Sequence, residues 1–137
     1  LFRLFAALIA TACALPCDAV SACGADLRGA QTIESARYQI TYRLQPAKIA
    51  VGRHFSVEFV ACAKGGAPAP AAVVVDASMP QHGHGMNYKA VVKPVQNQNA
   101  RYRADGLMFH MPGRWELIFE VQGAVGTERL TRSIALE

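Results

Sequence analysis

The chain has 137 residues, which suits one domain and is too short for two ordinary ones. Hydrophobic residues make up 52%, and that excludes an intrinsically disordered chain. The formal charge of +4 is spread over single Lys and Arg residues with no basic run, whereas a nucleic-acid surface needs a clustered stripe.

The chain starts with "LFRLFAALIATACALP", in which Arg3 precedes an apolar run from Leu4 to Leu15. The run is short for a bilayer span and has the length of a secretory h-region. Small residues follow at Ala12 and Ala14, then at Val20 and Ala22. Residues 1–22 are therefore read as a signal peptide, 23–34 as a polar lead-in and 35–137 as the folded domain. The expected location is the periplasm or outside the cell, with no stable membrane span. "VSAC", ending at Cys23, has the form of a lipobox, which would put a lipid anchor on that cysteine. Pro16 and Asp18 separate it from the apolar run, which a lipobox normally follows directly. Cleavage before Cys23 leaves Cys23 and Cys62 as an even pair in an oxidising compartment. A Cys23–Cys62 disulfide is the favoured expectation and lipidation the alternative.

From residue 35 the pattern has period two, the signal of half-buried strands. "ARYQITYRL" puts Ala36, Tyr38, Ile40, Tyr42 and Leu44 on one face. "HFSVEFVAC" puts Phe55, Val57, Phe59 and Ala61 inward, with Cys62 on the opposite face, where a lead-in carrying Cys23 can cover it. "KGGAPAPA" is a loop and "AVVVDASM" a strand. Another strand is expected from about Asn87 to Lys93. "NQNARYRADG" holds a short strand with Tyr102 inward, and "GLMFHMPG" is extended up to a Pro-Gly turn. "RWELIFEVQG" puts Trp115, Leu117, Phe119 and Val121 on one face, and "ERLTRSIALE" reads as an edge strand. No helical apolar spacing follows residue 24. These features predict an all-β fold, an immunoglobulin-like antiparallel β-sandwich of about 7–9 strands. A cupredoxin-like Greek-key barrel has the same pattern.

The segment "DASMPQHGHGMNYKA" concentrates chemistry. It carries His82 and His84, two of the four histidines, and Met79 and Met86, two of the four methionines. In an extended chain side chains two apart share a face, so His82, His84 and Met86 project together. "FHMPG" adds His110 and Met111 beside the strongest strand. Imidazole with thioether is a soft-to-borderline donor set, and among biological metals it suits copper. The predicted metal ligands are His82, His84, Met86, His110 and Met111. Asp76 is a candidate to orient an imidazole. The structural alternative is that the His-Gly stretch is a loop, that Met79, Met108 and Met111 fill the core, and that His110 is a hydrogen-bonded core histidine. His54 has no companion in its strand and is read as surface. No nucleophile motif, phosphate loop or carboxylate pair appears, so no enzyme activity is expected.

"VDASMPQHGHGMNYKAVV" followed by "GLMFHMPGRWELIFEV" resembles the bacterial YtkA-like domain, related to FixH-type extracytoplasmic modules. The resemblance covers about residues 35–137. By position the family pattern falls on Met79, Pro80, His82, His84, Gly85, Met86, His110, Met111, Pro112, Gly113 and Trp115. It implies a small exported β-sandwich and no established enzyme activity. Residues and resemblance together point to a periplasmic copper-binding protein that sequesters the ion or transfers it to a partner protein. A metal-free accessory module that binds a protein partner is the alternative. A copper redox enzyme ranks last, for want of a substrate pocket.

Overall fold

The structure, a computed structural model, describes residues 22–137. The signal-peptide reading, with Cys13 and Cys17, lies outside the described residues. Among the described residues nine strands form: β1 (Gln31–Glu34), β2 (Tyr38–Gln45), β3 (His54–Ala63), β4 (Ala72–Met79), β5 (His84–Gly85), β6 (Val91–Pro94), β7 (Arg101–Met108), β8 (Gly113–Gly123) and β9 (Gly126–Leu136). They make two antiparallel sheets, ordered β1-β2-β3-β7-β6 and β5-β4-β8-β9. The sheets face one another as an open sandwich, in agreement with the immunoglobulin-like expectation and not with a closed barrel. Among the described residues no helix is long and apolar enough to cross a membrane.

The alternation read in the sequence is the core. Tyr38, Ile40 and Tyr42 of β2, and Phe55, Val57, Phe59 and Ala61 of β3, meet Val75, Ala77 and Met79 of β4 and Trp115, Leu117, Phe119 and Val121 of β8. Aromatic contacts tie the sheets together, with Phe119 against both Tyr42 (5.2 Å) and Phe59 (5.6 Å). Such offset and edge-on pairs add stabilisation beyond the buried area alone.

Three boundaries differ from the sequence reading. β1 lies inside the stretch taken as lead-in. It carries a single large apolar residue, Ile33, because an edge strand needs no buried alternation. The strand expected from Asn87 starts only at Val91. Residues 87–90 instead carry the chain from one sheet to the other, and their exposed positions 87–89 belong to that crossing. Thirdly, the two extended pieces on either side of Gly106 are one strand, β7, with a bulge. Phe55 faces Leu107 while Val57 faces Ala104, so β7 has one residue more than β3 over this interval. Gly106 takes φ 89°, a left-handed value that favours glycine. The extra residue moves the inward set from Tyr102 and Ala104 to Leu107 and Phe109.

β3 is buried on both faces because the lead-in crosses its outer side. Leu27 of the lead-in is buried, and the Thr41 hydroxyl donates to the Cys23 carbonyl at 2.8 Å. Glu58, outward on β3, accepts from Arg43 Nη2 at 2.7 Å, Gln45 Nε2 at 3.1 Å and Arg101 Nη1 at 3.3 Å. Arg101 also pairs with Asp26 of the lead-in. Cys23 and Cys62 are joined as a disulfide, with Cα atoms 6.0 Å apart. This is the pairing that the sequence reading favoured for Cys23.

Two stability predictions follow from this packing. The disulfide closes a sequence separation of 39, and the chain-entropy model gives it about 3 to 4 kcal/mol. Cys23→Ser with Cys62→Ser should lower urea-derived stability by that amount, and the parent's intact mass after alkylation should show no free thiol at either position. Trp115→Ala should cost about 3 to 5 kcal/mol, the range for removing a buried aromatic. A Trp115 emission spectrum identical in folded and unfolded protein would contradict its inward position.

Candidate metal-binding site

The candidate residues come from two connections at one end of the sandwich. The first is the β4–β5 hairpin. Met79 ends β4 fully buried and pairs in register with His84. Between them His82 N and Gly83 N both donate to the Met79 carbonyl, at 3.1 and 3.0 Å. Gly83 closes this turn at φ 66°, a conformation glycine reaches without a Cβ penalty. Beyond it the chain is extended, and Met86 N donates to the Ala77 carbonyl at 3.2 Å. His84 and Met86 are therefore half-buried on one side, between exposed Gly85 and Asn87.

The expected parity holds for His84 and Met86 and not for His82. His82 lies in the turn and is exposed, yet the turn brings its ring over His84, with centroids 5.8 Å apart and planes at 29°.

The second connection is the β7–β8 crossover, residues 109–112. Phe109 is fully buried, and its carbonyl accepts from Gly52 N at 2.8 Å. Because the Gly106 bulge has put Phe109 inward, His110 emerges half-buried at the rim. Its ring centroid is 5.4 Å from that of His84. His82, His84 and His110 thus form a row, the middle ring touching each of the others.

Trp115 is the inner wall of this row. Its indole stacks on Phe109 at 4.6 Å with planes 8° apart. It makes T-shaped contacts with His110 at 5.2 Å and with His84 at 6.3 Å. Its Nε1–H donates to the Met111 carbonyl at 3.0 Å, which fixes the crossover. Met111 and Met86 are both half-buried against the core cluster. The sequence reading gave Trp115 as a core residue and as part of the family pattern, and not as a member of the site. Its part in the site was signalled by its place just past the Pro-Gly turn that follows His110.

Polar satisfaction separates two of the imidazoles from ordinary core histidines. Nε2 of His84 and Nδ1 of His110 are buried and have no hydrogen-bond partner. Among the described residues the only other such side-chain atom is Oγ of Ser56, on the opposite sheet. Unpaired buried polar atoms are uncommon in folded proteins, and each costs about 1–3 kcal/mol. The structural alternative of a hydrogen-bonded His110 finds no partner at Nδ1. Asp76 does not orient either ring, since its Oδ1 accepts from Ala77 N at 2.8 Å. Met79 is core, as the alternative held. His54 is exposed but has a companion after all, with Tyr88 edge-on at 5.3 Å. Among the described residues no three His, Cys, Asp or Glu side chains converge as a metal-binding group.

A family model described as YtkA-like matches residues 32–120, which include the hairpin, the crossover and most of β8. The chain belongs to the YtkA-like family. No curated protein matches it. Among solved structures, the YtkA-like chain is similar to a DUF4426 family protein from Pseudomonas aeruginosa PAO1. The two are 18% identical with a TM-score of 0.44, over 78% of this chain and 98% of the other.

The unpaired nitrogens give a test that needs no ligand. In a hydrogen-bonded histidine, replacement by Phe breaks a bond and destabilises. Here His110→Phe removes an unsatisfied buried atom from a wall made of Trp115 and Phe109. The metal-free variant should be as stable as the parent or up to about 2 kcal/mol more stable in urea unfolding. A loss above about 1 kcal/mol would mean that the ring makes a polar contact of its own.

Proposed function

We propose that this YtkA-like chain is an exported copper-binding protein, acting in sequestration or in transfer to a periplasmic partner protein. It holds the ion at the end of the sandwich through His84 and His110, with His82 at the mouth and Met86 and Met111 as soft donors. The observation that carries this reading is the pair of buried, unpartnered nitrogens on two neighbouring rings, His84 Nε2 and His110 Nδ1. A ligand that takes a lone pair from each would remove the cost of leaving both unsatisfied. Thioethers beside imidazoles favour copper over zinc. Export is supported by the Cys23–Cys62 disulfide, since such bonds persist in oxidising compartments. The proposed role is binding alone, with no catalytic step.

The second reading, a metal-free accessory module that docks a protein partner, is favoured by one observation. Among the described residues the imidazoles form a row and no three-ligand His, Cys, Asp or Glu group converges.

Metal analysis of tag-free protein, followed by titration against a calibrated chelator, separates the two. The parent should bind one copper ion. His82→Ala with His84→Ala should weaken binding by at least the ~10–100-fold that loss of a mere supporting residue costs. His54→Ala should leave it unchanged. If the double variant binds as the parent does, the accessory-module reading replaces this one.

A further inference from the structure

The donor set at this end of the sandwich carries no negative charge. The candidate donors are the His84 and His110 imidazoles, each with a buried unpartnered nitrogen, and the thioethers of Met86 and Met111, whose side chains pack half-buried against the core cluster. Among the described residues no histidine is ion-paired with a carboxylate. Asp76, the acid closest in sequence to the hairpin, is exposed and engaged with its own strand. Cys23 and Cys62 are bonded to each other and unavailable as thiolates.

Charge then discriminates between ions. The cost of taking an ion out of water scales with the square of its charge, so a divalent ion costs about four times as much as a monovalent ion of equal size. Anionic ligands normally offset that difference, and this site has none. Number and softness of donors act in the same direction. Cu(II) prefers a tetragonal set of N and O donors and structural Zn(II) a tetrahedral set, whereas thioether sulfur selects Cu(I). The two buried nitrogens sit on rings 5.4 Å apart, and the inner wall is the Trp115 indole, whose one polar hydrogen is already given to Met111. That arrangement suits an ion content with few, neutral, soft ligands.

We propose that the His84–His110 pair, completed by the thioether of Met86 or Met111, is a site for the soft monovalent ion Cu(I) in preference to any divalent metal. This rests on the metal-site reading above and fixes the charge and oxidation state of its ion.

Ag(I) is the decisive probe. It is soft and monovalent and needs no reductant, so the Cys23–Cys62 disulfide stays closed and contributes no thiolate. Tag-free protein is titrated with Ag(I), Cu(II) and Zn(II), and with Cu(I) kept reduced by ascorbate, while Trp115 fluorescence is followed. One equivalent of Ag(I) should bind and compete with Cu(I), and Cu(II) and Zn(II) should bind at least ~100-fold more weakly. Met86→Leu with Met111→Leu keeps the apolar volume, so near-ultraviolet dichroism should be retained. That variant should lose at least ~10-fold in Ag(I) affinity and leave Cu(II) affinity unmoved. Cu(II) or Zn(II) bound as tightly as Ag(I), and lost with His84→Ala, would overturn the preference while the metal-site reading stands. Ag(I) affinity unaffected by the double Met variant would also overturn it. A parent that binds none of these ions would overturn both readings.

Discussion

The packing of Trp115 between the sheets is the contact on which both the core and the candidate site depend. One face of the indole lies flat on Phe109, the ring makes T-shaped contacts with His84 and His110, and its N–H holds the Met111 carbonyl. A single side chain thereby fixes the β7–β8 crossover, closes one end of the core and sets the inner limit of the imidazole row. Trp is suited to this because it offers a large apolar surface with one directional donor.

The same end of the molecule is where burial is least well compensated. Among the described residues Glu58 finds partners in Arg43, Gln45 and Arg101, and Ser56 Oγ is the one buried polar side-chain atom outside this end that finds none. At the His84–His110 pair two ring nitrogens are buried against carbon and left unpaired. A sequence selected for stability alone would place apolar or hydrogen-bonded side chains there. Departures from local consistency of this kind concentrate at functional sites, where stability is given up for binding.

The opposite sheet shows a different use of burial. The lead-in covers the outer face of β3, so its outward residues are buried as well as its inward ones. The Cys23–Cys62 bond and the Asp26–Arg101 pair hold that cover in place. The pairing is far from the imidazoles, and it leaves the metal-site candidates free of thiolate.

The amino-acid sequence by itself determined the fold class, the inward faces of β2, β3 and β8, and the identity of the residues that crowd the end of the sandwich. It did so because side-chain direction in a strand depends only on parity, a local property. Cys62 opposite a covering lead-in was legible for the same reason. Tertiary structure decided what parity cannot carry across an irregularity. The bulge at Gly106 changes the phase between Ala104 and Leu107, and with it the directions of Phe109 and His110. The turn at Gly83 brings His82 over His84 by reversal of the chain and not by alternation. That His84 meets His110, that both rings meet Trp115, and that neither buried nitrogen finds a partner are consequences of two connections closing over the same end of two sheets. Such contacts join residues distant in sequence, and no local pattern encodes them.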